Sequence, residues 1–230
     1  MQHGGGRRCR EGPGGDDVQA VLADIRQETP QSPLTAIGFS LGGNLVLKLA
    51  GELGQDASDY LGHVIAVCPA ADLTACSDKL AQPENRFYEQ HFVTLLKAAV
   101  AARHAQFHDL PPVHLPEHLT LRQFDDLYIA PQCGFRDALD YYQRCSAAPL
   151  VPQIATPCRI LFAAADPFID ATVFSTVALP PQVQVYQTER GGHLGFLGCP
   201  WEPGGYRWLD TQLLSWVQNP ALSPAYNGRS

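Results

Sequence analysis

Length, composition and charge already restrict the kind of protein that this chain can form. Its 230 residues are 45% hydrophobic and 17% charged, which is typical of a globular protein with one sizeable core and room for an inserted subdomain. The formal net charge of −7 gives no support to nucleic-acid binding. No stretch approaches the roughly 18 consecutive apolar residues that a membrane-spanning helix needs.

Cysteine usage and the first residues of the chain favour a cytoplasmic location. The seven cysteines are odd in number and show no C-x-x-C spacing, so the sequence predicts neither a disulfide framework nor a zinc site. Residues 1–10 lack the apolar core of a signal peptide. We expect residues 1–15, rich in glycine and arginine, to be disordered, 16–218 to form the folded domain, and 219–230 to form a polar tail.

The most informative pattern is Gly38-Phe39-Ser40-Leu41-Gly42, which joins a short apolar run at 34–37 to a predicted helix over 42–53. A G-x-S-x-G motif in a strand–turn–helix context is typical of a nucleophile elbow, where a serine in strained backbone geometry points out of the sheet. Small residues two positions before and after the serine permit that geometry, and both are glycine here. Taken alone, the same glycines also suit an ordinary turn between a strand and a helix.

Further apolar runs predict buried strands at 63–68, 159–165 and 183–186. Together with the run before Ser40 they give four strands separated by helices, an order that favours an α/β protein with a mostly parallel sheet. A first helix is predicted to start at Asp16, with an apolar stripe at positions 18, 21, 22 and 25. The last helix is predicted over 206–217, burying Trp208, Leu209, Leu213 and Trp216.

Residues 78–146 contain no predicted strand, and helical patterns over 84–102, 121–128 and 135–144 predict a helical cap insertion. Two histidine pairs in this block, at 104/108 and 114/118, have the i,i+4 spacing that presents two imidazoles to a metal. Prolines at 111, 112 and 116 interrupt the second pair, and no H-E-x-x-H motif is present. We interpret these histidines as surface or loop residues and predict neither a metal nor a cofactor.

Three residue types that together make an acyl-transfer site each follow a different predicted strand: Ser40, Asp166 and His193. The carboxyl ends of parallel strands share one edge of a sheet, and the order serine, acid, histidine is that of an α/β-hydrolase. In this interpretation Ser40 is the nucleophile, His193 the general base and Asp166 the group that orients the imidazole. The backbone N–H of Leu41 would be an oxyanion donor.

Each of these residues also has a simpler interpretation. Asp166 precedes a proline and is suited to start a turn, and His193 lies in a glycine-rich loop. Asp72, which follows another strand, is the second candidate for the acid. Cys68 and Cys199 are weaker candidates for the nucleophile because neither lies in an elbow.

Several motifs together resemble the YheT-like branch of the α/β-hydrolases, from about residue 14 to about residue 217. The resemblance implies an α/β-hydrolase fold and a serine esterase or lipase-like enzyme acting on carboxylic esters, in some members acylglycerols or fatty-acid ethyl esters. It also implies that Ser40, Asp166 and His193 take the triad positions. The motifs are Gly38-Phe39-Ser40-Leu41-Gly42-Gly43-Asn44, Phe124-Asp125-Asp126, Gly134-Phe135, Tyr141-Tyr142, Arg144-Cys145-Ser146, Asp166-Pro167-Phe168 and Gly191-Gly192-His193-Leu194-Gly195-Phe196.

The chain departs from this family at its N-terminus. Members usually carry further N-terminal residues with the first strands of the sheet and a His-Gly loop that donates a second oxyanion N–H. The sequence His3-Gly4-Gly5-Gly6 resembles such a loop only superficially, because no strand precedes it. We therefore expect an N-terminally truncated fold in which the strand before Ser40 is an exposed edge that favours self-association.

Two hypotheses about function follow. In the first, the chain hydrolyses small acyl esters through an acyl-enzyme on Ser40, and Phe87, Phe92 and Leu95 of the cap line an apolar pocket. Transfer of the acyl group to an alcohol is a variant of the same chemistry. In the second, the chain is a weakly active or inactive fragment that keeps the hydrolase shape as an interaction module.

Overall fold

The computed structural model describes residues 15–201 and 204–222, so the expectations for residues 1–14 and 223–230 lie outside the described residues. The described residues form two compact units: Leu73–Cys145 is one, and the other contains the described residues before and after it. In chain order the helices and strands are α1 (Gly15–Glu28), β1 (Thr35–Phe39), α2 (Leu41–Leu53), β2 (His63–Val67), α3 (Leu73–Leu80), α4 (Arg86–Gln106), α5 (Leu121–Phe124), a π-helical turn (Asp125–Ile129), α6 (Ala130–Cys133), α7 (Ala138–Cys145), β3 (Cys158–Ala163), β4 (Val183–Thr188) and α8 (Trp208–Gln218), with short 3₁₀ turns at Gly54–Asp59, Pro83–Asn85, Ala148–Gln153 and Val173–Ser175.

The unit that contains the described residues before 73 and after 145 is built on a parallel sheet with the strand order β1-β2-β3-β4, which confirms the predicted α/β architecture. Every residue of β2 and β3 is buried, as expected for strands covered on both faces. The predicted strand positions agree with the structure to within two residues, because uninterrupted apolar runs are the usual sequence of a buried parallel strand.

A buried arginine connects the sheet to the last helix. The Arg159 side chain of β3 donates hydrogen bonds to the carbonyl oxygens of Asn219 (3.0 Å) and Ala221 (2.7 Å), just beyond α8. Its Nη1 lies 3.0 Å from Nε2 of His63 in β2. Burial and the nearby Arg159 charge lower the pKa of His63 to about 4, so this imidazole is neutral at pH 7.

The last helix buries fewer side chains than its pattern predicts. Trp216 is buried and packs on Tyr186 of β4 with ring centroids 4.8 Å apart, whereas Trp208, Leu209 and Leu213 are only half-buried. The prediction that all four apolar residues enter the core was therefore wrong. Helical periodicity identifies one face of a helix, but the packing partners decide how much of that face is covered.

Strand β1 is the edge of the described sheet and leaves apolar side chains open to solvent. Ile37 and Phe39 are 38% and 43% exposed, while Ile65 and Val67, their partners in the register of β2, are completely buried. The four side chains are on the same face, because side chains alternate along a strand. Exposure therefore rises sharply from the second strand to the first.

The turn from β1 to α2 has no room for a side chain at Gly38. A Cβ at this position would overlap the carbonyl oxygen of Gly42, and one at Gly43 would lie 2.9 Å from the Cβ of Pro69. At Gly42 a Cβ would meet no atom of the described residues within 4 Å. The expectation that space restricts both positions flanking Ser40 is correct for Gly38 and wrong for Gly42.

The unit Leu73–Cys145 is helical and has its own core. Val100 of α4 packs with Phe124 and Tyr128, and Arg103 Nη1 donates a 2.7 Å hydrogen bond to the Tyr128 hydroxyl. Thr120 and Gln123 form a reciprocal capping box that starts α5. No helix among residues 15–201 and 204–222 is long and apolar enough to cross a membrane, and a cytoplasmic location stays a prediction.

A buried carboxyl group joins the π-helical turn to α7 in this unit. The Tyr142 hydroxyl donates a 2.5 Å hydrogen bond to Oδ2 of Asp125, and both side chains are buried. Burial raises the pKa of Asp125 to about 6, although the hydrogen bond from Tyr142 opposes the shift. The protonated carboxyl is thus favoured in the folded state relative to the unfolded chain.

We expect Gly38→Ala to lower the free energy of unfolding by at least about 2 kcal/mol, because the new methyl group overlaps the backbone of the turn. The matched control is Gly42→Ala, which adds the same methyl group where space is open and where alanine favours the helix by up to about 1 kcal/mol. Urea unfolding of both variants measures the difference. Equal losses in the two variants would contradict this account of the turn.

We expect part of the pH dependence of stability to come from Asp125. Its folded-state pKa of about 6 exceeds the ordinary aspartate value of 3.8, so its contribution to stability is present at low pH and is lost as the pH rises through 6. Between pH 5 and 7.5 the loss should be on the order of 1 kcal/mol. Asp125→Asn keeps an acceptor for Tyr142 and should lack this loss. Parallel pH dependences of unfolding in the two proteins would refute the assignment.

Candidate active site

The structure brings Ser40, His193 and Asp166 together at the carboxyl ends of three parallel strands. Nε2 of His193 lies 2.9 Å from Oγ of Ser40, and Nδ1 of His193 lies 2.9 Å from Oδ2 of Asp166. The Asp166 side chain is fully buried, while 14% of the His193 side chain is exposed. A hydroxyl, an imidazole and a carboxylate connected in this order can move a proton from the hydroxyl to the imidazole.

Ser40 is held in a strained backbone conformation between β1 and α2. Its φ of 52° lies in the left-handed region that non-glycine residues rarely adopt. Its N–H donates to the carbonyl of Val67 (2.9 Å), and its own carbonyl accepts from the N–H of Ala70 (3.1 Å). The segment at and after the end of β2 therefore fixes the backbone of Ser40 from both sides.

Leu41, predicted as an oxyanion donor, is the first residue of α2. The first amide groups of a helix have no acceptor within the helix, and the helix dipole is positive at this end. The structure thus places the Leu41 N–H beside Ser40, at a helix end that favours negative charge.

Asp166 is fixed by the loop that follows β3. Its Oδ1 accepts hydrogen bonds from the backbone N–H groups of Phe168 (2.8 Å) and Ile169 (3.1 Å). Burial alone would raise its pKa, but the hydrogen bonds from His193, Phe168 and Ile169 outweigh burial and hold the pKa below its usual value. Asp166 is therefore ionised at neutral pH. The second candidate, Asp72, is not the carboxyl group that contacts His193.

The loop that carries His193 has an unusual backbone. Gly191, Gly192 and Leu194 have φ values of 142°, 53° and 69°, and a Cβ at Gly191 would come within 2.8 Å of the Phe196 ring. The Phe168 ring contacts the imidazole edge-on, with centroids 4.8 Å apart. The glycines thus permit a tight turn, and the aromatic contact helps to orient the ring.

The three residues predicted to line a pocket lie on α4 of the helical unit. Phe87 and Leu95 are 78% and 54% exposed, and Phe92 is half-buried. Their assignment to an acyl pocket stays a prediction.

Two buried residues near the site were not predicted to support it. Oδ1 of Asn44 in α2 accepts a 2.8 Å hydrogen bond from the N–H of Ala147, where the chain returns from the helical unit. Cys68 follows β2, and its Sγ lies with a carboxylate oxygen of Asp166 and a ring nitrogen of His193 in a group whose atoms are all within 4.8 Å of one another. The only sequence signal for Cys68 was its position at a strand end.

The sequence of the chain is similar to those of known hydrolases. The profile of the alpha/beta hydrolase family matches residues 2–203. The chain is 35% identical over 207 residues to the candidate esterase YheT of Escherichia coli, covering 88% of this chain and 60% of YheT. It is 27% identical to phospholipase ABHD3 of Homo sapiens and 26% identical to a monoacylglycerol lipase of Saccharomyces cerevisiae, covering 50% and 46% of those proteins.

A solved structure supports the same fold. An alpha/beta fold family hydrolase from Bacillus anthracis superposes with a TM-score of 0.51 at 16% identity, covering 90% of this chain and 74% of that one. The chain spans about half to three fifths of the length of the three sequence relatives above. With a family profile that covers most of its residues, this chain belongs to the alpha/beta hydrolase family.

Proposed function

We propose that the chain is a serine hydrolase that cleaves carboxylic esters through an acyl-enzyme on Ser40. The observation that carries the proposal is the continuous hydrogen-bonded series from Ser40 through His193 to Asp166. The similarity to proteins named as a phospholipase and a monoacylglycerol lipase supports an acyl ester as the substrate class.

In the first half of the proposed reaction, Ser40 Oγ attacks the carbonyl carbon of the ester while Nε2 of His193 takes the hydroxyl proton. The oxyanion that forms accepts a hydrogen bond from the Leu41 N–H at the positive end of α2. Ionised Asp166 accepts the Nδ1–H hydrogen bond, which fixes the tautomer of the imidazole and stabilises its protonated form. His193 then donates the proton to the leaving alcohol, and the acyl group remains on Ser40.

In the second half, His193 removes a proton from water as the water oxygen attacks the acyl carbon. His193 then returns this proton to Ser40 Oγ as the bond between Oγ and the acyl carbon breaks, and the acid is released. An alcohol in place of water would yield a new ester, so acyl transfer is a variant of the same steps. None of these steps draws on a metal or an organic cofactor. We further propose that the helical insertion predicted at 78–146 is a cap and that Phe87, Phe92 and Leu95 supply apolar contacts to the acyl chain.

A second candidate function, an interaction module that self-associates, is favoured by the exposed edge at β1. Strand β1 contains no charged residue, and Ile37 and Phe39 are exposed beside its open backbone groups. A second copy offers the same edge, so two chains related by a two-fold axis could pair β1 with β1 without charge repulsion. Such a role would not need the reaction above.

We expect a fluorophosphonate probe to label the parent protein and not Ser40→Ala, because only an activated serine reacts at a useful rate. Ser58→Ala, which removes an exposed serine from the same unit, is the control and should label like the parent.

Asp166→Asn should lower kcat for a short p-nitrophenyl ester by about 10³- to 10⁴-fold. A folded parent that neither labels nor turns over the ester would refute the hydrolase proposal.

We expect the parent to self-associate with rising concentration and Ile37→Lys to weaken that association, since edge lysines oppose strand pairing. Val21→Lys is the matched control, because Val21 of α1 is also an exposed apolar residue, 56% accessible, but is not on the sheet edge. Sedimentation velocity over a range of concentrations measures the association. A parent that remains monomeric throughout would remove the second candidate.

A further inference from the structure

Cys68 occupies a strained and completely buried position at the end of β2. Its φ of 45° lies in the left-handed region, where a non-glycine residue typically costs on the order of 1 kcal/mol or more. Its N–H donates a 2.7 Å hydrogen bond to the carbonyl of Leu161 in β3, which fixes the backbone at this point. Glycine at this position would relieve the strain, whereas cysteine places a thiol here at an energetic cost.

The thiol contacts both the acid and the loop of the base. Its Sγ lies within 4.8 Å of an Asp166 carboxylate oxygen and of a His193 ring nitrogen, and both Asp166 and the backbone of Leu194 influence the pKa of the thiol. Leu194 directly follows His193 and is itself in the left-handed region. One side chain therefore links the two loops that carry the candidate acid and base.

The Asp166 carboxylate beside this thiol accepts hydrogen bonds from the loops around it. A carboxylate has about four lone-pair sites. The Phe168 and Ile169 N–H groups donate to Oδ1, and His193 lies against Oδ2. Because this carboxylate has no contact with solvent, a donor next to it acts on its charge without competition from water.

The protonation state of Cys68 is suited to a donor and not to a nucleophile. Burial raises the pKa of the Cys68 thiol to about 12, and the charge of Asp166 adds to the shift. The thiol therefore carries its proton throughout the pH range of an ester assay. A protonated, buried thiol is unreactive but can donate a weak hydrogen bond.

We propose that Cys68 is a positioning residue of the active site, whose S–H donates to the Asp166 carboxylate while its sulfur holds the backbone of the His193 loop. This role rests on the proposed serine hydrolase function. The donor withdraws part of the negative charge that Asp166 presents to His193, and so it sets how strongly the carboxylate stabilises the protonated imidazole. The contact to Leu194 keeps the imidazole in line with both Asp166 and Ser40.

The test compares Cys68→Ala, which removes the donor, with Cys68→Ser, which keeps a hydroxyl donor of similar size. Cys158→Ala is the matched control, because Cys158 is equally buried in the same unit and burial also raises its pKa to about 12, but it begins β3 away from the site. Two readouts are measured. One is the pH profile of kcat/KM for a p-nitrophenyl ester, and the other is the proton NMR resonance of the His193–Asp166 hydrogen bond.

In Cys68→Ala the acidic limb of the profile should move to higher pH by about half a unit, because the carboxylate keeps more of its charge. The hydrogen-bonded proton should move downfield in the same variant. Cys68→Ser should restore both readouts to the parent values, and Cys158→Ala should leave them unchanged even if it lowers stability. Equal readouts in the parent and Cys68→Ala, or equal shifts in the alanine and serine variants, would overturn the proposal.

The NMR readout separates this proposal from the proposed function. If the parent shows no ester turnover while the resonance still responds to the alanine variant and not to the serine variant, the hydrolase proposal fails and the contact of Cys68 with Asp166 stands. If turnover is normal and neither readout responds, the hydrolase proposal stands and the role of Cys68 fails. If Cys68→Ala does not fold, Cys68→Ser and Cys68→Gly supply the same comparison.

Discussion

The backbone at Ser40 is the constraint on which the rest of the site depends. The serine has a φ of 52° because the chain must turn from β1 into α2 within one residue. This turn is possible only because Gly38 has no side chain. Hydrogen bonds hold it to Val67, the last residue of β2, and to Ala70, which follows that strand. A single strained residue thus couples the first strand, the following helix and the end of β2.

Strain in the described residues is concentrated at this one edge of the sheet. The non-glycine residues with positive φ in the described part of the chain are Ser40, Cys68 and Leu194, and each lies at or beyond the end of a strand that borders the site. Strained residues of this kind persist when their surroundings hold them, and they cluster where function requires a fixed geometry. Cys68 belongs to this group, and its strained backbone lies at the same edge of the sheet as that of Ser40.

The open edge at β1 sets a second condition on this protein. Ile65 and Val67 of β2 are fully buried, and their register partners on β1, Ile37 and Phe39, are exposed, although all four belong to the same sheet face. The strand that carries the strained turn is therefore also the strand with the least cover. Any partner that pairs with β1 would bury Ile37 and Phe39 and would stabilise the backbone on which Ser40 depends.

The sequence by itself determined the four strands, the helical block and the three candidate residues of the site. These features are readable because apolar runs, helical periodicity and the placement of polar residues directly after strands are local properties. Tertiary structure decided which carboxyl group faces His193, since both Asp166 and Asp72 follow strands and only packing separates them. It also decided that space at the turn restricts Gly38 and not Gly42, and that Cys68 reaches Asp166. Those outcomes depend on distances between atoms that are far apart in the chain, and such distances exist only once the strands have paired and the loops have packed against one another.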